Sequence, residues 1–168
     1  GETYELKSGG ERGYLIPVDG DLDNIFATCL PMSDIKEIAN VTEAKHVLFL
    51  MDACYGGLAI TRALSPGTSR FAKNMLQRFS RQVLTAGKAD ETVSDGDGPR
   101  PGHSMFTGYL LDALEGAAAA TDNLITANNV MAYVYDRVAK DQYSEQTPHF
   151  GYIAGDGDFI FDLSPVKA

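Results

Sequence analysis

Few residues in this chain can cross-link it or hold a metal. It has two cysteines, Cys29 and Cys54, and three histidines, His46, His103 and His149. Two cysteines in 168 residues are too few to be the staples of a small secreted scaffold. The histidines lie too far apart for metal-ligand spacing. No apolar run approaches the ~20 residues that span a membrane as a helix. The opening stretch, GETYELKSGGERGY, is polar and has no signal-peptide pattern. Positive charge is scarce: 14 Lys and Arg against 23 Asp and Glu give a net charge of −9. That balance argues against nucleic acid and anionic membrane as partners. A phosphate-cradling glycine loop is also missing. SDGDG has no lysine-serine tail, and GDGDF follows no strand–helix unit. What remains is a globular chain with reduced thiols, expected in the cytoplasm. A chain of ~150 residues buries roughly 70% of its unfolded surface, enough for one core.

The pattern of what is there alternates between strand and helix. YLIPV, Tyr14–Val18, reads as a strand stopped by Asp19-Gly20. PMSDIKEIANV reads as a helix with Ser33 as N-cap and Ile35, Ile38 and Ala39 on its apolar face. VLFLMDA is apolar on both faces, as in a parallel strand covered on both sides. SRFAKNMLQRFS is helical in spacing, QVLTAG is a strand, and KADETVSDGDGPRPG is a long exposed loop. SMFTGYLLDALEG returns to helix, with Phe106, Tyr109, Leu110 and Leu114 on one side and Gly116 as its stop. TANNVMAYVYDRVAKDQ is a second amphipathic helix capped by Thr126, and DFIFD is a closing strand. This order predicts an α/β layered fold with a largely parallel sheet flanked by helices.

In such sheets, functional groups collect at the carboxyl ends of the strands. Cys54 ends the most apolar strand, and Gly56-Gly57 permits a sharp turn that would expose its sulfur. Free cysteine is more often a buried core residue, which is the reading given to Cys29. At Cys54 the neighbourhood points elsewhere. Residues i and i+2 of a strand share a face, so Asp52 is expected to point the same way as Cys54. A nearby carboxylate disfavours the thiolate, so a reactive Cys54 needs a cationic partner, most simply a histidine. Asp52 is tolerable if the substrate brings Arg or Lys as its counter-charge.

VLFLMDACYGG resembles the nucleophile strand of the caspase–metacaspase clan of cysteine peptidases. In the metacaspase branch, bacterial orthocaspases included, that strand ends in Asp-x-Cys. GYLIPVDG, RQVLTAGKADE, HSMFTGYLLDALEG and QTPHFGYIAGDGDFIF are similar, in order and spacing, to further segments of that clan, so the resemblance runs over nearly the whole chain. It implies one caspase-like peptidase domain over 1–168, with a large-subunit-like part at about 1–88, a loop at about 88–102 and a small-subunit-like part at about 103–168. Cys54 becomes the nucleophile, and Asp52 the acid that receives Arg or Lys at P1. The clan's general base is the histidine of a His-Gly pair, about 50 residues before the cysteine in caspases. No histidine stands there, and Gly1 opens the sequence. The expectation is that Gly1 is the glycine of that pair and lends its N–H to an oxyanion hole, the histidine lying in an N-terminal segment just upstream.

The other histidines fit the role of base less well. His46 starts the nucleophile strand, ~26 Å from Cys54 along an extended chain. His103 follows the long loop and could swing toward the site, and His149 reads as structural or exposed. Asp90 and Glu91 read first as part of an ordinary solvated loop and second as a border of the pocket. No cofactor is expected. Calcium activation in the clan uses a close pair of aspartates, and the comparable place here reads Ser33-Asp34, half of that pair. Asp19, Asp21 and Asp23 lack the glycine and glutamate of an EF-hand. The expected partner is a peptide or protein substrate with Arg or Lys at P1. Self-processing after a basic residue is also expected, with Arg100 the most accessible candidate among Arg62, Arg70, Lys73, Arg78, Arg81, Lys88 and Arg100. Two alternatives stand beside this reading. One is a catalytically inactive caspase-fold scaffold or signalling module. The other is an amidotransferase-like hydrolase, disfavoured because Ala53 and Tyr55, not glycines, flank the cysteine.

Overall fold

The computed structural model describes residues 2–55, 74–88, 91, 98–118 and 123–164, with the backbone alone at Cys54, Tyr55 and Lys88. Among the described residues stand eight strands and four α-helices, with a short 3-10 turn at Leu22–Asn24, a π-turn at Ala113–Ala117 and further helical residues at 74–77. The strands are β1 Glu2–Glu5, β2 Glu11–Leu15, β3 Leu30–Pro31, β4 His46–Tyr55, β5 Ser80–Lys88, β6 Leu124–Thr126, β7 His149–Gly155 and β8 Ile160–Asp162. The helices are α1 Ile25–Thr28, α2 Met32–Val41, α3 Met105–Asp112 and α4 Ala127–Lys140.

The central sheet has the order β4-β5-β7. β4 and β5 pair in parallel, whereas β5 and β7 pair antiparallel. Two smaller sheets, β1-β2-β3 and β6-β8, are antiparallel. The α/β class therefore stands, but the pairing is mixed: β4–β5 is the one parallel ladder among the described residues. No described helix is long and apolar enough to cross a membrane.

Alternation along the strands sorts the core into two layers. On one face Leu84 and Ala86 of β5 and Phe150 and Tyr152 of β7 meet Phe106 and Leu110 of α3 and Val130, Val134 and Val138 of α4, with Leu48 of β4 packed against them. Each large apolar side chain fully buried here contributes about 1.5–3 kcal/mol. On the other face Met51 and Val83 meet Met32 of α2, with Phe49, Leu15 and Ile153 alongside. Cys29 is buried with Tyr14 and Ile25.

Caps decide where the helices begin. Thr126 caps α4 in a reciprocal box with Asn129. Ser104 caps α3, its oxygen accepting the Thr107 N–H at 3.0 Å. The end of α3 runs into a π-turn over Ala113–Ala117, where Gly116 takes φ 108° and stops the helix. α2 differs from expectation. It starts at Met32 with Pro31 as N-cap, and Ser33, inside the first turn, turns its hydroxyl to the Asp34 carboxylate at 3.4 Å.

The end of the sheet where β4 and β5 begin is closed by buried polar groups. Arg81 is 2% exposed and donates to four carbonyl oxygens: Ala39 and Thr42 at 2.6 Å, Ser80 at 3.0 Å and Lys45 at 3.1 Å. Ala39 and Thr42 lie at the C-terminal end of α2, where carbonyls lack helical partners and favour a cation. Asp158 is fully buried and accepts from Gln82 Nε2 at 2.9 Å and Asn128 Nδ2 at 2.6 Å. Burial pushes its carboxyl above the usual range, and the amide donors oppose that rise.

Candidate active site

Asp52 lies near the carboxyl end of β4 and is exposed. Its Oδ2 accepts the Ser104 hydroxyl at 2.5 Å and the Thr107 hydroxyl at 2.7 Å, so the carboxylate sits on the first turn of α3. This placement follows from the strand. Leu48 faces the α3–α4 layer, and counting by twos through Leu50 brings Asp52 to that same side.

Beyond Asp52 the counting fails. Met51 pairs with Thr85 and Cys54 with Gly87, so three steps of β4 match two of β5. One extra residue is accommodated between them, a β-bulge of the kind that re-aims side chains beside active sites. The expected shared face of Asp52 and Cys54 rested on unbroken alternation; the ladder shifts register between Met51 and Cys54, and the Cys54 side chain lies outside the described residues. The two remain ~7 Å apart along the strand and share its carboxyl end.

The segment before α3 is held tightly against it. Pro99 lies over Gly108, where a Cβ would come within 2.7 Å of the proline ring. The Gly98 N–H donates to the His103 carbonyl, and the His103 N–H to that of Arg100. Arg100 reaches along α3 to Asp112 at 2.7 Å and to both oxygens of Glu115 at 2.5 and 2.9 Å. Those two carboxylates push the guanidinium pKa up, and Arg100 in turn pulls the Glu115 carboxyl down. As a self-cleavage site Arg100 is therefore poorly available, because its side chain is engaged and Pro101 follows it. Proline restricts the residue before it and offers no N–H.

The remaining candidates fall as follows. His46 Nε2 is 2.7 Å from the Arg78 carbonyl, at the end of the sheet away from Cys54. His103 is exposed and immediately precedes Ser104. His149 opens β7 opposite Thr85 and is half-buried. Glu91 accepts the Thr147 N–H at 2.7 Å, tying the segment after β5 to the one leading into β7. Asp21 accepts the Asp23 N–H at 3.0 Å in a local turn, and among the described residues no group of three or more His, Cys, Asp or Glu side chains could hold a metal ion. Gly1, Gly56-Gly57, Asp90, Arg62, Arg70 and Lys73 lie outside the described residues, as do the side chains of Cys54 and Lys88.

Ser104 and Thr107 were not among the residues singled out from sequence. The S-x-x-T spacing at a helix start signals a cap, but nothing local shows that these hydroxyls meet a carboxylate 52 and 55 residues away. No family model matches the chain, and no curated protein or solved structure gives a significant match to it.

Proposed function

We propose that this chain is the peptidase domain of a caspase-like cysteine endopeptidase that cleaves after Arg or Lys, with Cys54 as nucleophile. The observation that carries this reading is Asp52. It is an acid at the carboxyl end of β4, exposed yet anchored, two residues before a cysteine. Nucleophile and charge selector then share the carboxyl end of one strand, two residues apart. A substrate lying across that end presents its carbonyl carbon to the sulfur and its P1 cation to the carboxylate.

The chemistry follows from the charges. A free thiol titrates near ~8.5, and a carboxylate close by disfavours the thiolate. A bound P1 cation offsets the Asp52 charge, so the substrate itself helps the sulfur ionise. An imidazole base takes the thiol proton. The sulfur then attacks the carbonyl carbon, and backbone N–H groups, those of Cys54 and Gly1 on this reading, stabilise the oxyanion. The C–N bond breaks as the imidazolium returns its proton to the leaving amine. Water then attacks the thioester and frees the thiol.

The test uses the full-length gene product and fluorogenic peptides ending in Arg, Lys or Asp. Turnover after Arg and Lys is expected, and Cys54→Ala abolishes it. Turnover after Asp would keep the nucleophile and remove Asp52 as selector. No turnover with calcium and after limited proteolysis would favour the inactive scaffold.

A further inference from the structure

We infer that Ser104 and Thr107 are positioning residues that fix which oxygen of Asp52 meets the P1 cation and so let the pocket take lysine nearly as well as arginine. This rests on the peptidase reading and extends it. Carboxylate oxygens only accept, so both hydroxyl protons point at Asp52. Ser104 confirms the direction, because its oxygen already accepts the Thr107 N–H. Both bonds end on Oδ2, at 2.5 and 2.7 Å, and neither uses Oδ1.

The consequence lies in lone pairs. Each carboxylate oxygen offers two acceptor sites, and two hydroxyls occupy those of Oδ2. A guanidinium fork needs one site on each oxygen. With Oδ2 engaged, the cation is met by Oδ1 alone, a contact that an ammonium makes as readily as a guanidinium. The anchor itself is rigid. Ser104 is 7% exposed, and the preceding segment is fixed by Pro99 over Gly108 and by Arg100 on Asp112 and Glu115. The regular alternation of β4 up to Asp52 and the fixed start of α3 thus converge on the aim of one carboxylate, as a preorganised binding group requires.

The experiment measures kcat/KM of the full-length protein on three peptides identical except for P1 Arg, Lys or citrulline, the last a neutral arginine isostere. Thr107→Val keeps the volume and removes one hydroxyl while leaving Ser104 as the cap. It is expected to lower kcat/KM for Lys roughly 10-fold, the cost of one charge-assisted hydrogen bond, and for Arg by less. The Arg-to-Lys ratio therefore rises about threefold or more, KM carries the change, citrulline turnover stays put, and Thr107→Ser restores the original ratio. Melting curves confirm the fold, and Thr107→Ala serves in its place if the valine does not fold. An equal fall on all three peptides, or no change on any, overturns the inference. If Asp52→Asn erases the preference for cations while the Thr107 variants leave it intact, only the positioning role is lost. If the full-length protein shows no Cys54-dependent turnover, the peptidase reading fails and takes this inference with it.

Discussion

The two ends of the β4–β5 pair use their polar side chains in opposite ways. Where the strands begin, Arg81 and Asp158 are buried and bound to backbone carbonyls and side-chain amides. Where the strands finish, Asp52 is exposed and held through one oxygen by two hydroxyls. A buried polar group is costly unless its hydrogen bonds are made, so the first end is architecture: its groups serve each other. An exposed acid costs little to leave open, and fixing it in one orientation removes the entropy that a ligand would otherwise have to overcome. The contrast between Asp158 and Asp52 separates a carboxylate that builds the fold from one that is available to a ligand.

The sharpest way to break this contrast is at Arg81. Arg81→Met orphans the Ala39 and Thr42 carbonyls and should cost about 3 kcal/mol in urea unfolding, with Arg81→Lys recovering part of it. The P1 preference of the folded protein should not change. Equal stability of Arg81→Met and the parent would mean that water replaces the guanidinium at no cost.

Gly108 tests the support beneath the exposed end. Adding a Cβ there forces Pro99 away at 2.7 Å, an overpacking cost of about 1–3 kcal/mol. Alanine returns ~1 kcal/mol of helix propensity, so Gly108→Ala should be net destabilising by about 1 kcal/mol. A stabilised variant would show that the segment before α3 yields freely.

The smallest effect is a pH slope at Asp158. Burial raises its folded pKa above the unfolded value, so in the window between the two the folded chain holds a proton that the unfolded chain has released. Its stabilising contribution is full below the unfolded pKa and is lost as pH rises through the folded one. Asp158→Asn should therefore flatten stability against pH from the ordinary carboxyl range upward. An unchanged slope would show that the Gln82 and Asn128 donors cancel the effect of burial.

Much of the scaffold was legible because its signals are local. The apolar run of β4, the Thr126 cap of α4 and the Gly116 stop each announce themselves within a few residues. β7 was not read as a strand, since Gly151 and Gly155 interrupt its run, although Phe150 and Tyr152 keep the period of two. β1, β3 and β6 are too short to stand out from their surroundings. At α2 a favourable capping residue, Ser33, competed with Pro31 just ahead of it, whose extended backbone at ψ 138° fits the cap position. At the site, Asp52 and Cys54 could be singled out by type and spacing. The bulge between Met51 and Cys54 could not, because it exists only relative to β5. The hydroxyls on Asp52 were hidden for the same reason, as products of the packing of α3 on β4.

The most direct test of the central claim is the ratio of kcat/KM for a P1-arginine peptide to its P1-citrulline twin, in the full-length protein and in Asp52→Asn. A site built around a charge partner rejects the neutral isostere strongly, so the parent ratio should be roughly 100 or more and should collapse toward one in Asp52→Asn. Melting temperature should hardly move, since Asp52 is exposed. A ratio that survives Asp52→Asn would show that the carboxylate only anchors α3 and that selection, if any, lies elsewhere.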